Sequence, residues 1–348
     1  MAISRRRLIA VLTSILAATV VAVPGVWLFR PTEATPAPPA VELSAWTAGG
    51  SHRPDPKTAT PAQVSSWFAR LSSEDAVDLA VRYPHLVGNL DGAPLALRYT
   101  ANRLQRPAWA GRQILALDTR GDGQVVEVLG DLATATRVSV LVPGVDDNLA
   151  NFDTGHGGVV RRAPSWQARH LYEQARRFDP GTPVAVVAWL GYDPPEGVQR
   201  DALREDRAAA GANRLVSFVD GLVLGRPDLK VTVVGHSYGS TVAGLAASRL
   251  SDQVTDIVAL GSPGMGVDER ADLDTDARVW AGSAPDDWTR RVPGVRLFGV
   301  GHGTLPVAPH FGALPLPCAD VEGHDGYFMP GTSSLRAMAE IAVGGDIR

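Results

Sequence analysis

The residues with the clearest chemical potential are Gly235-His236-Ser237-Tyr238-Gly239, which fit the pattern G-x-S-x-G. An apolar run, Val231–Val234, leads straight into Gly235, and Ser240-Thr241-Val242-Ala243-Gly244-Leu245-Ala246-Ala247 continues as a helix-forming stretch. A serine between a strand and a helix must sit on a tight, strained turn. Side chains two positions to either side would collide with crossing backbone, which accounts for glycine at 235 and 239. The turn lifts the Ser237 hydroxyl above the C-terminal edge of a sheet, at the positive end of the next helix. That is the placement needed to attack a carbonyl carbon, with the Tyr238 amide aimed at the developing oxyanion.

A serine hydroxyl is a weak nucleophile and needs a base, itself oriented by an acid. On such a turn the partners follow in the order serine, acid, histidine, each on a loop after a later strand. The acid then falls in Gly282-Ser283-Ala284-Pro285-Asp286-Asp287-Trp288, after the apolar run Arg278–Ala281. Adjacent residues point in different directions, so one carboxylate faces the histidine. Asp287 is favoured, Asp286 is the runner-up, and the unused one reads as a solvated turn residue. Asp256, Asp268 and the acids at 272–276 fit that loop less well.

Three histidines lie downstream: His302, His310 and His324. His324, in Gly323-His324-Asp325-Gly326-Tyr327-Phe328, is favoured because flanking glycines let a loop bring its ring to the site. His302, between Gly301 and Gly303, is second and His310 third. His236 reads as a packing residue. The second oxyanion amide is expected near Val145, in Pro143-Gly144-Val145-Asp146-Asp147-Asn148. Asp146, Asp147 and Asp153 match no calcium-loop spacing and read as a solvated loop.

These residues need a scaffold. Gln113–Leu117 and Val125–Leu129 flank the turn signal Arg120-Gly121-Asp122-Gly123 and predict a hairpin. Val138–Val142, Val184–Leu190, Val231–Val234, Ile257–Leu260 and Arg278–Ala281 predict further strands. Helices are expected at about 165–178, 200–224, from Ser237 to about Leu250, and at Ser333–Val343. Continuous apolar strands alternating with helices imply an α/β class, a mostly parallel sheet covered on both faces. Residues 60–110 read as an N-terminal helical segment, ahead of the main domain at 111–348. Thr60-Pro61-Ala62-Gln63 supplies a capping box. A second helix runs from near Ser72 to before Pro84, and a third starts near Asp91.

Arg5, Arg6 and Arg7 precede an uncharged run from Leu8 to Phe29, the pattern of an export signal or a retained membrane anchor over 1–30. Ser4-Arg5-Arg6-Arg7-Leu8-Ile9 resembles a twin-arginine address. The body is therefore expected outside the cytoplasm, secreted or anchored to the outer face of the membrane, with cleaved and retained forms both open. Residues 31–59, rich in proline, read as an extended linker. The formal net charge of −4 and the absence of a basic tract in the body argue against a nucleic-acid partner. The one cysteine, Cys318, excludes an internal disulfide, and zinc-type ligand spacings are absent.

The chain resembles an uncharacterised family of bacterial α/β hydrolases with a GHSYG turn. The resemblance spans roughly 60–345. It is carried by Gly88-Asn89-Leu90-Asp91-Gly92, Arg98-Tyr99-Thr100-Ala101-Asn102-Arg103, Trp189-Leu190-Gly191-Tyr192-Asp193-Pro194-Pro195 and Val233 to Ser240. Gly261-Ser262-Pro263-Gly264, Asp287-Trp288, His302-Gly303-Thr304 and Gly323 to Phe328 complete it. It implies the α/β-hydrolase fold and a hydrolase of unsettled substrate, and it supports Asp287 and His324. The combined expectation is a carboxylesterase-like or lipase-like serine hydrolase that needs no cofactor or metal and acts on a small-molecule or lipid-like ester. Ser237, Asp287 and His324 would be catalytic, with Tyr238 and Val145 as oxyanion donors. Tyr192, Pro194, Pro195, Trp288 and Tyr238 are expected to wall the pocket. A peptidase or amidase would use the same three residues, and a non-catalytic binding protein could keep the same fold.

Overall fold

The apolar runs assemble into an eight-stranded sheet in the computed structural model, which describes residues 39–50, 52–197, 202–296 and 301–347. The export segment expected at 1–30 lies outside the described residues. Among those described, no helix is long and apolar enough to cross a membrane. The strands are β1 (Gln113–Asp118), β2 (Gln124–Leu129), β3 (Arg137–Val142), β4 (Val184–Leu190), β5 (Lys230–His236), β6 (Val254–Leu260), β7 (Arg278–Gly282) and β8 (Leu314–Pro315). Their spatial order is β1-β2-β4-β3-β5-β6-β7-β8. The hairpin β1–β2 is antiparallel, β2 is antiparallel to β4, and every pairing from β4 to β8 is parallel.

Parallel strands need covered faces, and β4 records this in its sequence, being buried at all its positions. Ala185, Val187 and Trp189 pack toward α7 (Asp206–Val223) and α8 (Tyr238–Ala246). Val184, Val186, Ala188 and Leu190 pack on the opposite face toward α6 (Pro164–Phe178) and α9 (Ser333–Ala342). Each fully buried valine or leucine there contributes about 1.5–3 kcal/mol relative to exposure. This is the α/β-hydrolase fold, with the parallel strands ending in the loops that carry the candidate residues.

An N-terminal group of helices has its own core: α1 (Ala40–Ala48), α2 (Pro61–Phe68), α3 (Ser73–Arg82), α4 (Pro84–Val87) and α5 (Leu95–Gln105). The described part of the Pro-rich stretch differs from the extended linker expected at 31–59. Residues 40–48 are helical, and Trp46 is buried against Trp67 and Tyr83, with ring centroids 5.6 and 5.4 Å away. The α2 capping box is present: Thr60 Oγ1 accepts from Gln63 N–H, and Gln63 Oε1 accepts from Thr60 N–H. Helix α5 starts at Leu95 rather than near Asp91, because Gly92 takes φ 87° in the turn before it.

These helices also close the free edge of β1. Asn89 donates to the Leu117 carbonyl and accepts from the Leu117 amide (2.7 and 2.9 Å). Arg98 donates to the Leu115 carbonyl and Asn102 to the Ile114 carbonyl (3.0 and 3.1 Å). Side chains thus do what a further strand would do, so the edge offers no template for pairing with another chain. The Asn89 and Arg98-to-Asn102 motifs are edge clamps remote from the candidate site.

Candidate active site

Strand β5 delivers the backbone into Ser237, which stands immediately before α8 at φ 53° and ψ −127°. A positive φ is costly for a residue with a Cβ and persists only where surroundings enforce it. The enforcement here is close approach on both sides. A Cβ on Gly235 would lie 2.5 Å from Ser240 Cα, and one on Gly239 would lie 2.2 Å from the Val142 carbonyl oxygen. Ser240 Oγ donates to the Ser237 carbonyl, and further hydrogen bonding joins Ser240 to Ser262 on the loop after β6 (2.5 and 2.6 Å).

The loop after β7 carries both candidate acids, and the structure separates them. Asp287 is 2% exposed, and His324 Nδ1 lies 3.0 Å from each of its oxygens. Its Oδ1 also accepts from Thr289 N–H and Thr289 Oγ1–H (2.8 and 2.7 Å), and its Oδ2 accepts from the Tyr327 hydroxyl. Burial pushes the Asp287 carboxyl up, but the bond and charge of His324, with Tyr327 and Thr289, outweigh it. The carboxyl is held well below the usual carboxylate range. Asp286 is exposed, yet it is not simply solvated: its Oδ1 accepts from the Gly323 amide at 2.8 Å, tethering the loop that holds His324.

The other histidines have different partners. His236 Nε2 lies 2.8 Å from the His324 carbonyl oxygen, and the two rings are 4.8 Å apart. Burial, and then the neighbouring His324, push the His236 pKa down to about 4. His302 is 3% exposed, its Nε2 is 2.7 Å from the Ala202 carbonyl, and its ring meets the Tyr238 ring edge-on at 5.5 Å. His310 is exposed.

Ser237 and His324 line one cavity of about 340 Å³, with Gly144, Val145, His156, Trp288 and others. Gly144 runs directly beside the serine: a Cβ there would sit 2.8 Å from Ser237 Cβ and 3.4 Å from its Oγ. The loop after β3 therefore brings Val145 to the serine. Helix α8 begins at Tyr238, so its unpaired N-terminal amides and dipole favour negative charge in this region.

Of the residues expected to wall the pocket, Trp288 lines this cavity, and Tyr192, Pro194, Pro195 and Tyr238 do not. The Tyr238 ring does not line the cavity: its hydroxyl accepts from Ala208 N–H and donates to the Arg204 carbonyl, pinning the start of α7 (3.1 and 2.7 Å). Tyr192 is 1% exposed, and its hydroxyl donates to the Pro143 carbonyl at 2.7 Å. The Pro195 carbonyl accepts from Asp146 N–H. The segment after β4 thus braces the Val145 loop from behind. The loop acids are not uniformly solvated either. Asp153 pairs with Arg112 (2.8 Å), Asp146 Oδ1 accepts from Gly197 N–H (2.6 Å), and Asp147 is buried at the cavity.

Comparison with known proteins follows this geometry. A family model described as alpha/beta hydrolase matches residues 118–297, just over half of the chain. The chain belongs to this alpha/beta hydrolase family. The matched span contains Ser237 and Asp287, and His324 lies beyond it. This alpha/beta hydrolase is also similar to an uncharacterized protein of Mycobacterium tuberculosis, 28% identical over 84% of this chain and 56% of that protein. It thus spans little more than half the length of that relative. An uncharacterized protein of Mycobacterium bovis is 30% identical over 62% of this chain and 76% of its own length. Among solved structures, a carboxylesterase from Mesorhizobium loti is 16% identical, with 66% of this chain and 98% of that one covered and a TM-score of 0.39. An α/β serine hydrolase without lid from Xanthomonas campestris is 15% identical, with 67% and 93% covered and a TM-score of 0.37.

Sequence reasoning did not assign roles to several residues of this hydrolase's site. Tyr327 and Thr289 hold Asp287, and Arg162 pairs with Asp325 at 2.6 Å on the cavity wall. The signal for Tyr327 was its place in the His324 motif. Nothing in the spacing pointed to Arg162, which lies 163 positions from its partner.

Proposed function

We propose that the chain is a serine hydrolase that cleaves esters, with Ser237 as nucleophile, His324 as general base and Asp287 as the acid that orients it. The observation that carries this reading is the strained Ser237 opening onto the same cavity as a histidine whose far nitrogen meets a buried carboxylate. His324 Nε2 takes the Ser237 proton as Oγ bonds to the ester carbonyl carbon. The tetrahedral oxyanion is met by the amides of Tyr238 and Val145. As the intermediate collapses, Nε2 returns the proton to the departing alkoxide, leaving an acyl-serine. Water, deprotonated by the same nitrogen, then releases the acid and restores Ser237. Asp287 keeps the His324 proton on Nδ1 and balances the imidazolium charge throughout. The hydrogen bond between base and nucleophile commonly tightens only when substrate is bound.

A series of p-nitrophenyl esters of graded acyl length tests the reading. Wild-type turnover is expected, with a loss in Ser237→Ala of roughly 10³-fold or more in kcat. Equal turnover by the variant would move the nucleophile elsewhere. We further propose that the body works outside the cytoplasm, on the strength of Arg5–Arg7 ahead of the uncharged run from Leu8. Fractionation of the tagged full chain checks this, and full-length soluble protein in the cytosol would contradict it.

A further inference from the structure

The loop that carries His324 owes its place to ties with other elements. Gly323 takes φ 66° with open space where a Cβ would stand, so local sterics do little to fix the backbone there. The Gly323 amide donates to Asp286 Oδ1 at 2.8 Å, the Asp325 carboxylate pairs with Arg162 at 2.6 Å, and the Tyr327 hydroxyl donates to Asp287. These ties run to the loop after β7 and to the segment before α6. A further one runs to the elbow: His236 Nε2 lies 2.8 Å from the His324 carbonyl oxygen. A carbonyl oxygen only accepts, so Nε2 carries the proton of that bond. His236 ends β5 and is joined directly to Ser237, yet it stands 88 positions from His324. Among the described residues, no other hydrogen bond joins 235–239 to 323–327.

We propose that His236 is a positioning residue, whose Nε2–H bond to the His324 carbonyl sets the distance between base and nucleophile. The proposal rests on the reading of Ser237, His324 and Asp287 given above. Asp287 fixes the His324 ring at Nδ1, and His236 fixes the backbone from which that ring hangs. Without the second tie, the position of the base relative to Ser237 would be set through the sheet and the loops alone. A misplacement of about 1 Å can cost roughly 100-fold in rate. The residue type suits the task. Burial, and then the neighbouring His324, push the His236 pKa down to about 4, so the ring puts no second positive charge beside the imidazolium that forms on His324. A lysine or arginine could donate the same bond but would oppose that charge. Packing alone is the rival account of the residue, since the His236 ring lies 4.8 Å from the His324 ring and 5.7 Å from the Tyr327 ring. Substitution separates the two.

The test uses the full chain and three variants. His236→Gln presents an amide N–H at nearly the reach of Nε2. His236→Asn carries the same amide one methylene short. His236→Leu keeps apolar packing and has no donor. The readouts are kcat and KM on p-nitrophenyl butyrate and the rate at which a fluorophosphonate labels Ser237, at about pH 8 and at a temperature where melts show each variant folded. His236→Gln is expected within about threefold of wild type in both rates. His236→Asn and His236→Leu should each lose about 10- to 100-fold in kcat and in labelling rate, with KM within about threefold. The comparison of Gln with Asn remains readable if the Leu variant fails to fold. The labelling rates carry the test if this ester is not a substrate. His236→Asn within threefold of wild type, a loss confined to KM, or a fall in His236→Gln as deep as in His236→Asn would overturn the positioning role while leaving the nucleophile in place. A wild type whose Ser237 is not labelled would overturn the serine hydrolase reading, and this proposal with it.

Discussion

Replacing Asp287 by asparagine exchanges one carboxylate oxygen for an NH2 in a nearly fixed volume, and the structure says which contacts are disturbed. The carboxylate faces donors only: His324 Nδ1–H, the Tyr327 hydroxyl, Thr289 N–H and Thr289 Oγ1–H. An asparagine oxygen can keep both Thr289 bonds, which leaves its NH2 against Tyr327 and His324. The Tyr327 oxygen already accepts from Ala284 N–H (2.9 Å), so it adapts poorly. The amide nitrogen then lies against His324 Nδ1, 3.0 Å away as the retained oxygen also is, and by donating there it favours the neutral ring that carries its proton on Nε2, where the Ser237 proton must go. A loss of about 10⁴-fold in kcat is expected, or ~5.4 kcal/mol in the barrier, with KM little changed. The fold should survive with a cost of about 1–3 kcal/mol for the mismatched buried donors. The depressed Asp287 pKa makes the carboxylate's stabilising contribution fully present above its unfolded value and lost as pH falls through the folded one. The melting difference between wild type and Asp287→Asn should therefore shrink in acid. The assay is kcat at about pH 8, where an ordinary histidine is neutral, alongside thermal melts. Asp286→Asn keeps an oxygen to accept from Gly323 and should cost less than about threefold in kcat. If Asp287→Asn stays within tenfold of wild type, or Asp286→Asn proves worse, the reasoning about the acid is refuted.

Gly239→Ala should destabilise by at least about 3 kcal/mol, roughly 4–5 °C in Tm for a chain of this length, because its Cβ meets the Val142 carbonyl at 2.2 Å. Gly111→Ala, with open space around the new methyl, should stay within about 0.5 kcal/mol in the same melts. His302→Ala should lower Tm by removing a buried hydrogen bond to Ala202, yet keep kcat within about threefold at a temperature where it is folded. His236, held down to about 4, binds its proton in the unfolded chain before the folded one. Its stabilising contribution is thus present above about pH 6.5 and lost as pH falls toward 4. The Tm of wild type should fall across that window more steeply than that of His236→Gln.

The sheet was legible because parallel strands buried on both faces must be continuously apolar: Val184–Leu190 carries no polar residue. The hairpin was legible from its turn residues, and α2 from its capping box. Helix α1 was not, because a single tryptophan in a proline-rich stretch has no periodicity, and its partners Trp67 and Tyr83 are known only once the helices pack. The two-residue β8 is too short to leave a pattern. At the site, the elbow was readable because its glycines are imposed by local backbone clashes. Asp287 was favoured from the sequence, but the tether that Asp286 makes to Gly323 was not readable, since both acids sit in one loop and differ only in which way they face. Asp147 was read as solvated because a carboxylate in a glycine- and asparagine-rich loop ordinarily is. Its burial comes from elements far away in the chain.

The central claim is that Ser237 is an activated nucleophile. The most direct test is labelling of the full chain by a fluorophosphonate, with the adduct located by mass spectrometry of peptides. The account predicts one adduct, on Ser237, abolished in Ser237→Ala and slowed by orders of magnitude in His324→Ala. An unlabelled wild type, or a label on another residue that persists in Ser237→Ala, would contradict it.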